Sequence, residues 1–114
     1  MLATVVVNRH HLKPGWEQNP YYKYIGRGSK LGNQWSHLAD TLAKYKVETR
    51  EDSILQYEWN PREGIRARLL FGEPGLREEI LSCEGHGLVC YCHPRACHGD
   101  VIVRLIQEIR ERKL

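Results

Sequence analysis

The feature that most constrains this chain is the stretch Leu88-Val-Cys-Tyr-Cys-His-Pro-Arg-Ala-Cys-His-Gly-Asp100. A short apolar run breaks at Pro94 and leads into a segment with Ile102, Leu105, Ile106 and Ile109 at i, i+3, i+4 and i+7. That spacing is the apolar stripe of an amphipathic helix. A strand therefore ends where a helix begins, and three of the four cysteines and two of the six histidines crowd the junction. In open α/β sheets, ligands bind beyond the carboxyl ends of strands. The junction fixes both an expected fold class and a place to look for a site.

The rest of the chain supplies the partners for such a sheet. Ala3 to Asn8 holds a Thr-Val-Val-Val run, which reads as a strand buried on both faces and central in the sheet. Lys13-Pro-Gly-Trp16 and Asn19-Pro20 mark an irregular loop, and Tyr21 to Ile25 is a second strand. Leu88 to Cys92 is the third. Thr49 with Asp52 three residues on forms an imperfect capping box, and predicts a helix from Arg50 to Trp59 ending at Asn60-Pro61. A second helix starts near Pro61 with Ile65, Leu69 and Leu70 buried, and a short third spans Leu76 to Cys83. The last helix runs from about Cys97 to Arg112. Strands separated by helices imply crossover connections. The expected fold is a compact three-layer, Rossmann-like α/β domain with a small, mostly parallel sheet, formed by all 114 residues as one unit.

Charge and hydropathy narrow the partners. A net charge of +3 is too small to argue for a duplex-binding surface, so nucleic acid is not the expected partner. Arg104, Arg110, Arg112 and Lys113 alternate with Glu108 and Glu111, and read as a solvated helix face. No apolar run approaches the ~20 residues of a membrane span, and no secretory leader pattern opens the chain. A cytoplasmic location without membrane contact is expected, with cysteines as thiols, metal ligands or reactive groups rather than disulfides.

Two stretches carry chemistry. Gly26-Arg-Gly-Ser29, followed by Gly32-Asn33, can leave backbone N–H groups open to an anion, with Arg27 and Ser29 as donors. It has neither the Walker spacing nor the dinucleotide fingerprint. At the second stretch, three readings compete. Cys90, Cys92, Cys97 and either His93 or His98 could hold a structural zinc, although Cys-x-Cys is tighter than the usual knuckle. Cys97, His98 and Asp100 could line a ligand or catalytic site, with cysteine or aspartate as nucleophile or base and histidine as acid/base. Cys90 and Cys92 could be small buried hydrophobes on one strand face. Four such residues at a helix start have no evident packing purpose, which favours function for Cys97-His98-Gly99-Asp100; Asp100 alone could be a helix N-terminal charge.

Together, Tyr24-Ile-Gly-Arg-Gly-Ser-Lys-Leu-Gly-Asn33 and Leu88 to Asp100 resemble the two signature stretches of the domain of unknown function 4326 family. The opening Val-Val-Asn-Arg and Lys46-Val-Glu-Thr-Arg-Glu-Asp52 match as well, so the resemblance covers nearly the whole chain. It implies a small α/β protein of the kind found in phages and bacteria, and it implies that residues 36 to 48 form a loop leading into the Thr49-capped helix. It supplies no reaction. The strand–Cys–Pro–Cys-His–helix ending is also similar to that of another uncharacterised α/β family ending in Cys-His-Arg, where this chain has Gly99. That is analogy at the level of fold.

The expectation is thus a site for a nucleotide-derived or phosphate-bearing small molecule at one sheet edge. Asn8 and Arg9, Gly26, Arg27, Gly28 and Ser29, Asn33, and Cys97 to Asp100 would build it. Arg27 and Ser29 would bind the anion. His98 and Asp100 would supply acid/base chemistry of a glycosidic or phosphate hydrolase or transferase, with no cofactor required. The alternatives are a non-catalytic binder that sequesters a ligand or inhibits a host protein, and a zinc-stabilised module contacting nucleic acid through Trp16, Tyr21, Tyr22 and Trp35.

Overall fold

The computed structural model describes residues 3–38, 43–91 and 97–114. Three parallel strands form the main sheet in the order β1-β5-β2: β1 is Val5–Asn8, β5 is Gly87–Cys90 and β2 is Tyr22–Tyr24. The register aligns Val6 with Leu88 and Lys23, and Val7 with Val89 and Tyr24. Because side chains alternate, Val6, Leu88 and Cys90 share one face while Val7, Val89, Tyr22 and Tyr24 share the other.

Four helices contribute to the core on the first face: α1 (Arg50–Trp59), α2 (Ile65–Leu70), α3 (Leu76–Leu81) and α4 (His98–Arg110). Leu88 and Cys90 pack with Val101, Ile102, Leu105, Ile106 and Ile109 of α4, and with Tyr57, Ile65, Leu76 and Ile80 of the other helices. Among the described residues, the irregular chain between β1 and β2 packs on the opposite face. Between β1 and β2 run two 3-10 turns, Arg9–His11 and Trp16–Gln18, and Trp16 meets Tyr22 edge-on with ring centroids 6.4 Å apart. Among the described residues, no helix is long and apolar enough to cross a membrane.

The sequence pattern and the structure differ in three instructive places. The central strand is β5, fully buried on both faces, whereas the valine run of β1 lies at an edge with Val5 39% exposed. A β-branched run shows fitness for a pleated surface but says nothing about how many neighbours it has. The second correction concerns Pro61, which sits in a turn. Asn60 Oδ1 accepts from the N–H groups of Arg62 and Glu63, and α2 starts only at Ile65. On a six-residue helix, Ile65 and Leu69 (i, i+4) face the core and Leu70 is 81% exposed, not buried. Third, the region expected as a loop holds two short strands, β3 (Trp35–Ser36) and β4 (Tyr45–Lys46), paired in parallel. Tyr45 N–H donates to Gln34 O and Val47 N–H to Ser36 O.

The last helix is tied down by charge as well as by its apolar stripe. Glu58 of α1, almost fully buried, accepts from Arg66 Nε at 2.8 Å and from Arg104 at 2.9 Å, and Arg66 continues to Glu108 at 2.6 Å. Arg110 pairs with Glu84. The charged face of α4 therefore bonds across to α1, α2 and the turn before β5, beyond the simple solvated face its sequence suggests. Buried Glu58 with two guanidiniums satisfies the rule that an interior carboxylate needs partners.

Candidate ligand-binding site

The N-terminus of α4 stands beside the carboxyl ends of β2 and β5. Cys97 is its N-cap: Sγ accepts from Gly99 N–H at 3.4 Å, while Asp100 Oδ2 accepts from Cys97 N–H at 3.1 Å. This is a reciprocal capping box with sulfur in place of the usual hydroxyl. His98 is buried, and its Nε2 lies 2.6 Å from Ile25 O. A carbonyl only accepts, so Nε2 carries the proton and Nδ1 offers its lone pair toward Cys97 Sγ, 3.6 Å away. Burial pushes the His98 pKa down to about 4, so the imidazole is neutral at pH 7; the nearby Arg27 charge acts in the same direction. Gly99 allows the helix to approach the sheet. A Cβ there would stand 3.0 Å from Ile25 Cδ1 and Val6 Cγ2.

Each residue of Cys97-His98-Gly99-Asp100 therefore has a packing or capping role, which corrects the reading that they have none. Asp100 is exposed and lies along a groove with Thr4 to Val6, Val103 and Arg104, away from the cavity that Cys97 and His98 line.

The glycine-rich loop after β2 is likewise folded on itself. Ser29 N–H and Ser29 Oγ both donate to Gly26 O, at 3.1 and 2.7 Å, closing a turn whose third residue, Gly28, has φ +93°. That left-handed conformation favours glycine. Tyr24 folds over Gly26 and its hydroxyl donates to Arg27 O at 3.2 Å. Asn33 bridges the loop to α1: Nδ2 donates to Ser53 Oγ at 2.8 Å and Oδ1 accepts from Trp35 N–H at 2.9 Å. Ser53 Oγ in turn donates to Trp35 O at 2.7 Å.

Between these elements lies a cavity of about 340 Å³. One wall comes from β2, β5 and the α4 start: Tyr24, Gly26, Cys90, Tyr91, Cys97 and His98. The facing wall comes from the β3 arm and the first turns of α1: Asn33, Ser36, His37, Leu38, Arg50, Ser53 and Ile54. Arg27 joins the two, donating from its guanidinium to Trp35 O at 3.2 Å. No aspartate or glutamate is among the described lining residues. The Arg50 side chain makes no hydrogen bond or ion pair with any described residue. The N-termini of α1 and α4 both open on this space, and each adds partial positive charge.

The cavity gathers Gly26, Arg27, Asn33, Cys97 and His98 from the sequence-predicted set. Gly28 and Ser29 open instead on a smaller concavity of about 180 Å³ with Lys30 and Lys44, on the other side of Arg27. Asn8 caps the first 3-10 turn by accepting from His10 N–H at 2.8 Å, and the Arg9 guanidinium lies 5.9 Å from the Trp16 ring centroid. Neither lines the cavity between β2, β5, α1 and α4. Cys92 and His93 lie outside the described residues, and with them the zinc set Cys90, Cys92, Cys97 and His98 or His93. Among the described residues, no group of three His, Cys, Asp or Glu side chains could hold a metal ion.

A family model described as Domain of unknown function (DUF4326) matches residues 7–108, a span that includes both walls of the cavity. The chain belongs to this family. No curated protein and no solved structure matches it significantly.

Sequence reasoning missed Arg50 and the aromatic members of the cavity. Arg50 reads in sequence as an ordinary first-turn residue behind a threonine cap. Its signal is only that the capping box places it at the start of α1, where any cavity beside that terminus would find it. Tyr24 and Tyr91 carry a clearer signal, because each stands at the carboxyl end of a strand, where ligand-contacting residues gather. The four aromatics offered as stacking groups pack internally: Trp16 and Tyr21 against Tyr22, and Trp35 stacked on Tyr45 at 5.5 Å.

Proposed function

We propose that this protein binds a phosphate-bearing small molecule in the cavity between β2, β5, α1 and α4. The observation that carries the reading is a pair of guanidiniums, Arg27 and Arg50, on a cavity without a described carboxylate, Arg50 having no partner among the described residues. A guanidinium fork matches phosphate oxygens two at a time, and a helix N-terminus favours the same charge. A volume of about 340 Å³ falls at the small end of the range of ~300–1,000 Å³ for small-molecule sites. Binding is the reading favoured over hydrolase or transferase turnover. The expected acid/base pair is otherwise engaged: His98 is neutral with Nε2–H on Ile25 O, while Asp100 is bonded to Cys97 N–H and lies outside the cavity.

A thermal-shift series with inorganic phosphate, phosphosugars and nucleotides tests this. A ligand at ~100 times its Kd adds about 2.7 kcal/mol, which in a domain of this size is a rise of about 10 °C or more in Tm. Arg50→Ala should cut the rise by about half or more without lowering the Tm of the ligand-free protein. If no phosphate-bearing compound raises the Tm of the wild-type protein, the proposal fails.

A further inference from the structure

The cavity has a second chemical character that an anion alone does not use. Tyr24 and Tyr91 both line it, and their phenols are close enough that Tyr91 helps raise the Tyr24 pKa, behind the larger effect of burial. Tyr24 is fixed, folded over Gly26 with its hydroxyl on Arg27 O. Tyr91 is 51% exposed, and its one described ring contact is His10, edge-on at 5.4 Å. Leu38, on the facing wall, is 53% exposed. Half-exposed large apolar side chains on both walls of one cavity cost free energy in water, which a flat apolar group between them would recover. The guanidiniums of Arg27 and Arg50 belong to the same space.

From this juxtaposition we infer that the ligand is a nucleoside monophosphate, its phosphate on Arg27 and Arg50 and its base against Tyr91 and Leu38. The inference rests on the phosphate-binding reading above and adds base recognition to it. A phosphosugar would use only half of the site. A stacked base is worth ~1–3 kcal/mol by alanine substitution, so removing the ring should cost about fivefold or more in affinity.

Titration calorimetry with inorganic phosphate, ribose 5-phosphate and a purine nucleoside 5′-monophosphate decides the matter. The wild-type protein should bind the nucleotide at least about fivefold more tightly than ribose 5-phosphate. Tyr91→Ala should erase that ratio while leaving ribose 5-phosphate affinity unchanged, and Tyr91→Phe should restore it. Arg50→Ala should weaken both ligands. If the wild-type protein binds ribose 5-phosphate as well as the nucleotide, or if Tyr91→Ala preserves the ratio, base recognition is wrong although phosphate binding stands. If none of the three binds, both readings fall together.

Discussion

Two helix N-termini face the cavity, and they differ in what their residues are free to do. At α4, Cys97-His98-Gly99-Asp100 has the residue types expected of catalysis, yet its polar groups are engaged. Sulfur and carboxylate close a capping box, imidazole holds the end of β2, and the glycine permits close packing. At α1, Thr49, Arg50 and Ser53 look like ordinary helix-start chemistry. There Thr49 Oγ1 caps Asp52 N–H and Ser53 is bonded to Trp35 O, but the Arg50 guanidinium has no described partner. The lesson is that residue type is a weaker guide to function than whether the polar group is already satisfied. A buried, bonded histidine serves the fold; an arginine with no described partner on a cavity is the better candidate for binding.

That contrast can be broken by mutation. The largest effect should come from His98→Ala, which removes a buried ring and leaves Ile25 O without its donor. A stability loss of about 3 kcal/mol is expected in urea unfolding. A His98→Ala protein as stable as wild type would return His98 to the functional candidates.

Acid should reveal the same residue. His98 has a pKa of about 4 when folded against 6.5 as a free side chain. The folded state therefore disfavours its protonation: the contribution is complete above pH ~6.5 and is lost as the pH falls toward 4. About 3 kcal/mol is involved. His98→Gln places its amide donor where the ring Nε2 stands, in reach of Ile25 O, but does not titrate, so its stability relative to wild type should improve by that amount between pH 7 and pH 4. Parallel stability–pH curves would show that His98 is not held neutral.

A smaller effect is expected of Asp100→Asn, which weakens the capping box and its charge at the helix start by about 1 kcal/mol. Smallest in stability is Arg50→Ala, within about 0.5 kcal/mol of wild type, because no described contact is lost.

Much of the frame was legible because it rests on short-range signals. Thr49 with Asp52 marked the start of α1 to the residue, and the Ile102-Leu105-Ile106-Ile109 stripe marked the buried face of α4. Position within the sheet was not legible, since Val5 to Val7 and Leu88 to Cys90 look alike until their neighbours are known. The two-residue strands β3 and β4 exist only through mutual pairing, so no local pattern announces them. Of the site, the sheet edge and Arg27 were visible in sequence. Arg50 and Leu38 join it only because the β3 arm folds Trp35 and Asn33 onto Ser53, a long-range set of hydrogen bonds.

The central claim is that, of the two helix N-termini, the one at α1 contributes to ligand binding and the one at α4 anchors the fold. Calorimetric titration of a nucleoside monophosphate into Arg50→Ala and Asp100→Asn, side by side at pH 7, tests it most directly. The account predicts that Asp100→Asn binds as wild type and that Arg50→Ala loses at least tenfold in affinity. Wild-type affinity in Arg50→Ala with binding lost in folded Asp100→Asn would contradict it.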